Sequence, residues 1–580
     1  DSITLKAQLI LPVPKTPGET FPVLIYPNSW DCDKWEYLME QVSIAEAGYI
    51  TLGYSARGWW GSGGSIDVAG PDDAKDIGMV IDWVLENHND MVDATQIGMV
   101  GISYGAMLSL LGAATDPRVK AVVAMSGPAD LFASLYPGGS PSYVWASILV
   151  DTAPFAGRPP AYLQTYLQDL LTDKNVSSVA AWARTRSPLY YVRDINKNGA
   201  AVMLSNNFED RLFQPDLAIT LYEALRGPKR LDLNQGLHAT AELAGFLDVR
   251  ASYLWGTARQ WLDHHLKGIS NGADTAPPVS MQLDNSLPKR IHLHHWPEPK
   301  VQHRRYILQP RCQDAHGTVA EKGVEAVGSE TIPAPPLTCD SDSIKHMRIT
   351  HMGAGIPIIG EIFQVYTHVP IYCTFALVPR AGALLYYGIS FPEGVYLISS
   401  PTLTLWVQPS QPRFQLNAYL FAASSDVFGA YPLGVLLCHA THSGWEAKPG
   451  QPVKLELKMR ALAHHLKPGT QVVLGINTYT QLYAQPSKKD YTVEVLYDDA
   501  HVPTLTIPVA PSVSVRSDGL QYSKAPPPAL VVMEVSAVSI MMLVLLGALM
   551  AYSVVFRKRR WVIRGQSIAG SPPEVPTTSD

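Results

Sequence analysis

The chain has 580 residues, 47% of them hydrophobic and 17% charged, with a net charge of −6. That length is too great for a single core, so two or three domains are expected, and the apolar content excludes a chain disordered throughout. The mildly acidic balance leaves no basic footprint, which argues against a nucleic-acid partner.

The chain opens on Ser2–Pro12 (SITLKAQLILP), which already reads as a β-strand. No signal peptide is visible, which fits either a processed chain or one with upstream residues absent. Apolar strand runs follow at Phe21–Tyr26, Tyr49–Tyr54, Ile97–Gly101, Ala121–Ser126 and Ala201–Ser205, with helical stretches such as Asp73–Asn87 and Tyr104–Ala114 between them. That alternation predicts a mostly parallel sheet with helices on both faces over residues 1–270. Between Gly127 and Arg186 the pattern turns helical and is broken by Pro and Gly, so a small helical cap is expected over the sheet at about 128–190.

Gly101-Ile102-Ser103-Tyr104-Gly105 joins the strand at 97–101 to the next helix. Alone, Gly-x-Ser-x-Gly occurs by chance in many turns. Here it lies between a strand and a helix, the setting in which a serine hydroxyl is lifted above the sheet edge as a nucleophile. The helix N-terminus favours negative charge there, and the backbone N–H of Tyr104 is a candidate oxyanion donor.

In this chain order an acid and then a histidine should follow. The strand at 201–205 runs into Asn206-Asn207-Phe208-Glu209-Asp210, which offers two acids at a strand's carboxyl end, Glu209 and Asp210. A short strand at 230–233 runs into Asn234-Gln235-Gly236-Leu237-His238. The chain has 17 histidines, and one taken at random is an ordinary surface or core residue. A loop position after a strand, in the right order, selects His238 over His264, His265 and His294. Adjacent histidines do not share a helix face, so no metal is expected at His264-His265 or His294-His295.

From about Ala276 the texture becomes all-β. Short runs at Leu384–Ile389, Thr402–Val407, Gln415–Ala422, Val453–Met459 and Val472–Ile476 are separated by Pro and Gly. They predict a β-sandwich with jelly-roll features over 276–515. The five cysteines contain no C-x-x-C pair, so no structural zinc is expected; Cys312 and Cys339 are near enough in sequence to bridge. A Pro-rich spacer is expected at 516–534, including Lys524-Ala-Pro-Pro-Pro. Val535 to Phe556 carries no charge; as a helix it would be about 33 Å long, enough for a bilayer core, and Arg557-Lys558-Arg559-Arg560 follows at once. The reading is a single-pass transmembrane helix at 535–556, a cytosolic tail at 557–580 that is disordered after Arg564, and a lumenal or extracellular catalytic part.

Several motifs together resemble the Xaa-Pro dipeptidyl-peptidase / cocaine esterase (CocE/NonD) group of α/β-hydrolases. They are the loop Tyr54–Gly64 (YSARGWWGSGG), the helix from Gly70-Pro71-Asp72-Asp73 to Trp83, the elbow Gly101–Gly105, NFEDRLF at Asn207–Phe213, LNQGLHA at Leu233–Ala239, WLDHHLKG at Trp261–Gly268 and HHLKPGTQVVLGI up to Ile476. The resemblance spans roughly residues 1–510. It implies an α/β-hydrolase followed by a jelly-roll domain, with Ser103 as nucleophile, His238 as base and Asp210, rather than Glu209, as the orienting acid. Members often carry a second oxyanion donor, a Tyr hydroxyl, after the first central strand. Here the turn reads Pro27-Asn28-Ser29-Trp30-Asp31, so the Trp30 indole N–H becomes the expected donor, with Ser29 as fallback.

The expected activity is cofactor-free acyl transfer, as a membrane-anchored Xaa-Pro dipeptidyl-peptidase on peptides. The alternative is a carboxylesterase or amide acylase on small esters or amides. A non-catalytic binding protein on a hydrolase fold is the third possibility. A peptidase would need a carboxylate for the substrate amine, and Asp130, Asp151, Asp169 and Asp173 in the cap are candidates.

Overall fold

The uninterrupted apolar runs of the N-terminal half lie in a sheet covered on both faces, the setting in which such runs are stable. The structure, a computed structural model, describes residues 3–244, 252–283, 289–311, 317–321, 339–348, 352, 372–424 and 433–517. The first elements are β1 (Lys6–Ile10), β2 (Phe21–Pro27), α1 (Leu38–Glu46), β3 (Ile50–Ser55), α2 (Pro71–Asn87), β4 (Val92–Ile102), α3 (Tyr104–Thr115) and β5 (Val119–Met125). Four helices follow as the cap: α4 (Leu131–Leu135), α5 (Tyr143–Ala156), α6 (Tyr162–Thr172) and α7 (Val176–Arg184). Then come α8 (Val192–Asn198), β6 (Ala201–Asn207), α9 (Pro215–Ala224), β7 (Lys229–Asn234), α10 (Thr240–Ala244), α11 (Tyr253–Lys267), β8 (Val279–Gln282) and β9 (Lys289–Leu293).

The strand order is β1-β3-β2-β4-β5-β6-β7-β8-β9, parallel from β3 to β8 with β1 and β9 antiparallel to their neighbours. Side chains alternate between two cores. Along β2, Val23 and Ile25 join the core beneath α2 and α3, and Leu24 and Tyr26 join the one beneath α1 and α11. β4 repeats the pattern with Ile97 and Met99 against Val100 and Ile102. Burying each such side chain contributes about 1.5–3 kcal/mol.

The chain moves outward from β2 to β3 and then returns to the other side of β2 as β4. Loops leaving adjacent strand ends diverge at such a reversal and open a crevice between them. Ser103 follows β4 and the turn 28–31 follows β2, so both stand at this crevice.

Beyond β9 the fold is a β domain whose described strands run from Gln302–Gln309 to Thr504–Ala510. The strand Thr402–Pro409 alternates buried and outward positions, as a half-buried strand must. Its Leu403, Leu405 and Val407 share a core with Leu455, Leu457 and Val495. The strand Val515–Ser517 returns to the first sheet and pairs antiparallel with β9. The described residues form one compact unit. Cys339 is disulfide-bonded and Cys32, Cys373 and Cys438 are free; Cys312 lies outside the described residues.

The expected fold class and localisation are corrected at the C-terminal end. Among the described residues no helix is long and apolar enough to cross a membrane. The longest of them, α2, has 17 residues with Asp72, Asp73, Lys75, Asp76 and Asp82 on it, whereas a span needs about 20 apolar residues. The segments 518–534, 535–556 and 557–580 lie outside the described residues. The fold is therefore an α/β-hydrolase domain followed by a β domain, and the single-pass anchor with its lumenal or extracellular assignment is withdrawn.

Candidate active site

Ser103 sits on the turn from β4 to α3 with φ 56° and ψ −118°, a conformation that a non-glycine residue adopts only under constraint. Two glycines make the turn possible. A Cβ on Gly101 would lie 2.3 Å from the Gly105 main chain, and one on Gly105 would lie 2.4 Å from the Pro27 carbonyl oxygen. The Ser103 N–H donates to the Met125 carbonyl at 2.8 Å, which ties the elbow to β5.

Three of the expected site residues come together. Ser103 Oγ is 2.9 Å from His238 Nε2, and His238 Nδ1 is 2.8 Å from Asp210 Oδ2. A carboxylate accepts only, so Nδ1 carries the proton and Nε2 is left to accept the serine proton. Asp210 is fully buried, and its other oxygen, Oδ1, accepts the N–H groups of Leu212 and Phe213, both at 2.9 Å. Those bonds fix it in the turn after β6. The Glu209 backbone N–H donates to the Gly236 carbonyl. Burial pulls the His238 pKa down, but the charge and hydrogen bond of Asp210, with a contribution from the Glu242 charge, outweigh it and leave it raised.

Tyr104 opens α3, and the N–H groups of a helix's first turn lack intrahelical acceptors. Its main-chain N–H is thus available beside the nucleophile, while its hydroxyl donates to Asp73 at 2.8 Å. Trp30 differs from expectation. Its indole Nε1–H donates to the Leu149 carbonyl of α5 at 3.0 Å, and its ring packs edge-on against Trp59 and Tyr104. An N–H committed to a backbone carbonyl cannot also hold an oxyanion, so the indole is removed from the oxyanion hole. Ser29 is committed as well: its Oγ donates to the Ile102 carbonyl at 2.9 Å and its N–H to Glu36 at 2.6 Å.

The Arg-Gly loop has a structural partner. Arg57 makes two 2.8 Å bonds to Asp76 and lies 3.1 Å from Asp72, pinning the loop to α2. Among the described residues no group of His, Cys, Asp and Glu is arranged to hold a metal ion.

A cavity of about 80 Å³ opens beside Ser103 beneath the cap. Met107, Leu131, Leu149, Leu167, Val179 and Phe213 are among its walls, and among the described residues no Asp, Glu, Lys, Arg or His side chain lines it. The cap carboxylates that were candidates for amine binding lie elsewhere. Asp130 accepts the Ala133 N–H and the Tyr190 hydroxyl, Asp173 accepts the Tyr136 hydroxyl, and Asp169 takes the Asn175 amide. Asp151 is on α5 but not in the cavity wall.

Two polar side chains near the site are not among the residues the sequence singles out. Glu242, on α10 one turn beyond His238, is fully buried and accepts from Ser126 Oγ at 2.8 Å and Asn207 Nδ2 at 3.0 Å. Arg460, from the β domain, donates from Nη1 to the Asp210 carbonyl at 2.8 Å and from Nη2 to the Tyr483 hydroxyl at 3.1 Å. The Glu242 spacing of four from the histidine was readable as a helical turn; nothing in the sequence ties Arg460 to a loop 250 residues away.

Residues 1–240 match the family model described as X-Pro dipeptidyl-peptidase (S15 family), and 271–501 match that of the X-Pro dipeptidyl-peptidase C-terminal non-catalytic domain. A Xaa-Pro dipeptidyl-peptidase of Lacticaseibacillus rhamnosus is 23% identical over 310 residues, which is 48% of this chain and 37% of that protein. The chain spans only about a third of the length of the curated relatives it matches. Among solved structures, an α-amino acid ester hydrolase has a TM-score of 0.64 at 16% identity, covering 87% of this chain and 94% of its own. A CocE/NonD family hydrolase from Staphylococcus aureus has a TM-score of 0.61 at 11% identity, covering 87% and 91%. At such identities the two structures speak for the fold alone.

Proposed function

The chain belongs to the Xaa-Pro dipeptidyl-peptidase / CocE-like family of α/β-hydrolases and is a serine hydrolase; from that membership we propose that it cleaves esters or amides by two-step acyl transfer at Ser103. The observation that carries this reading is the continuous hydrogen-bonded line Ser103–His238–Asp210. Ser103 Oγ attacks the substrate carbonyl carbon as His238 Nε2 takes its proton. Asp210 holds the ring in the required tautomer and stabilises the imidazolium. The Tyr104 N–H holds the oxyanion, and with the Trp30 and Ser29 side chains engaged elsewhere, the second donor falls to the main chain of the turn after β2. The imidazolium then protonates the leaving group, the C–O or C–N bond breaks, and water, deprotonated by His238, releases the acyl group.

Family membership makes the Xaa-Pro bond at a peptide N-terminus the first reading of the substrate. A carboxylate-free cavity beside the nucleophile favours the second, an esterase or amide acylase. Hydrolysis of p-nitrophenyl acetate and Gly-Pro-p-nitroanilide by wild type and Ser103→Ala tests the mechanism. The variant is expected to lose about 10³-fold or more in kcat/KM and all labelling by a fluorophosphonate. Undiminished turnover by Ser103→Ala would overturn the assignment of the nucleophile.

A further inference from the structure

We propose that the acyl half of the substrate is an uncharged, unbranched hydrocarbon acyl group, bound in the slot beneath the cap, and not a dipeptidyl group bearing a free α-ammonium. This rests on Ser103 acting as the nucleophile, since Ser103 is part of the slot's lining.

The first argument is charge. Among the described residues, the walls from Met107 on α3 to Val179 on α7 carry no ionisable carboxylate, and the cap carboxylates are turned to other partners or stand outside the wall. An ammonium in such a slot would leave water with no counter-charge, which costs several kcal/mol or more. The second argument is shape. The open volume is about 80 Å³, roughly half that of an engineered cavity that accommodates benzene. Its lining nevertheless reaches from Ser103 across four cap helices to Leu170 and Val179. A small volume stretched over that lining is a narrow slot. It suits a chain of methylenes, whereas a ring would have to displace side chains. The third argument is the origin of the walls. Leu163, Leu167 and Leu170 recur at i, i+4 and i+7 on α6, so one whole apolar stripe faces the slot.

Asp31, a carboxylate on the turn beside the lining residue Trp30, has no cationic partner among the described residues. Burial pushes its pKa up to about 6 against the lowering effect of a hydrogen bond from the Thr152 hydroxyl, and its Oδ1 has no hydrogen-bond partner. It lies on the turn beside Trp30 and is not part of the slot's lining.

The test is a series of p-nitrophenyl esters, acetate, butyrate, hexanoate and octanoate, run beside the benzoate and Gly-Pro-p-nitroanilide. Each methylene that leaves water is expected to raise kcat/KM by up to about fourfold until the slot is full. At least a tenfold gain from acetate to hexanoate is expected, with benzoate and Gly-Pro-p-nitroanilide poorer than hexanoate. Leu167→Trp, and the smaller filling Val179→Phe, are expected to collapse the hexanoate-to-acetate ratio toward one. Fluorophosphonate labelling of Ser103 reports that each variant is folded. A flat chain-length profile, or a preference for benzoate, would sink the proposal while leaving the acyl-transfer reading intact. A preference for Gly-Pro-p-nitroanilide would do the same and direct attention to Asp31. Ester turnover that survives in Ser103→Ala would instead remove the acyl-transfer reading, and this proposal with it.

Discussion

At the residue scale, the second carboxylate near the histidine sets a pH dependence. The His238 pKa is raised despite burial, because Asp210 and Glu242 both favour the imidazolium. A base must be neutral to take the serine proton, so activity is lost as pH falls through this raised value. Glu242→Gln removes the negative charge and keeps one oxygen to accept from Asn207, while its amide N–H can donate to the Ser126 hydroxyl. The pKa of His238 should then fall, moving the acid limb of the kcat/KM profile to lower pH by about half a unit to one unit. Burial also pushes the Glu242 carboxyl up, against the hydrogen bonds of Asn207 and Ser126, so the charge acts on His238 only above that raised value. An acid limb that stays in place in the variant would reduce Glu242 to a scaffold for the loop. Removing Asp210 should have the larger effect, since it also fixes the tautomer: Asp210→Asn is expected to lower kcat by about 10²–10⁴-fold, and a loss below tenfold would argue against its role.

At the scale of elements, the elbow and the Arg-Gly loop are held by different means. The elbow rests on close approach of main chains, and only glycine at 101 and 105 leaves room for it. The loop after β3 rests on charge, through Arg57 bridging to Asp76 and Asp72 on α2. Arg57 and Asp76 are both buried, so deleting the guanidinium leaves an uncompensated carboxylate. Arg57→Leu is expected to destabilise the fold by about 3 kcal/mol, read as a lowered midpoint in urea. A midpoint unchanged within error would make the ion pair dispensable. The loop's glycines and charges were visible in the sequence. Their pairing to α2 was not, because nothing in the chain pattern says which of Asp72, Asp73 and Asp76 faces inward.

At the scale of the molecule, the β domain reaches the catalytic loop. Arg460 holds the Asp210 carbonyl, the Ala461 N–H donates to Asp216 Oδ1 at 3.0 Å, and the Ser400 hydroxyl donates to the same oxygen. The segment from Asp210 to Asp216 is thus clamped at both ends by the second domain. The cap is seated on it too: Trp445 Nε1–H donates to the Gly139 carbonyl at 2.8 Å, and Ser140 Oγ lies 2.8 Å from Ser443 Oγ. Arg460 acts through Asp210 and touches no reacting atom. Its loss should therefore lower kcat more than it changes KM. Arg460→Met is expected to lower kcat about tenfold or more, and a kcat equal to wild type would separate the two domains functionally.

The sequence by itself determined what is local or periodic. Continuous apolar runs separated by helices imply a sheet buried on both faces, and period-two runs imply half-buried strands, because side-chain period follows from backbone geometry. A strand–Gly-x-Ser-x-Gly–helix junction, an acid after β6 and a histidine after β7 were legible for the same reason. The structure brings Ser103, His238 and Asp210 within hydrogen-bond reach; the resemblance of the Asn207–Phe213 motif already preferred Asp210 to Glu209, and the Leu212 and Phe213 N–H groups hold that carboxylate in the turn after β6. What only the tertiary structure decided is where long-range partners point. The Trp30 indole was free on paper and is bound to Leu149 in the fold; the cap aspartates were candidates and face other partners. Hydrogen-bond commitments and the walls of a cavity are set by residues far apart in the chain, so no local pattern records them. A run of apolar residues has the opposite limit. At 535–556 its length supported a membrane helix; that segment lies outside the described residues, among which no helix is long and apolar enough to cross a membrane.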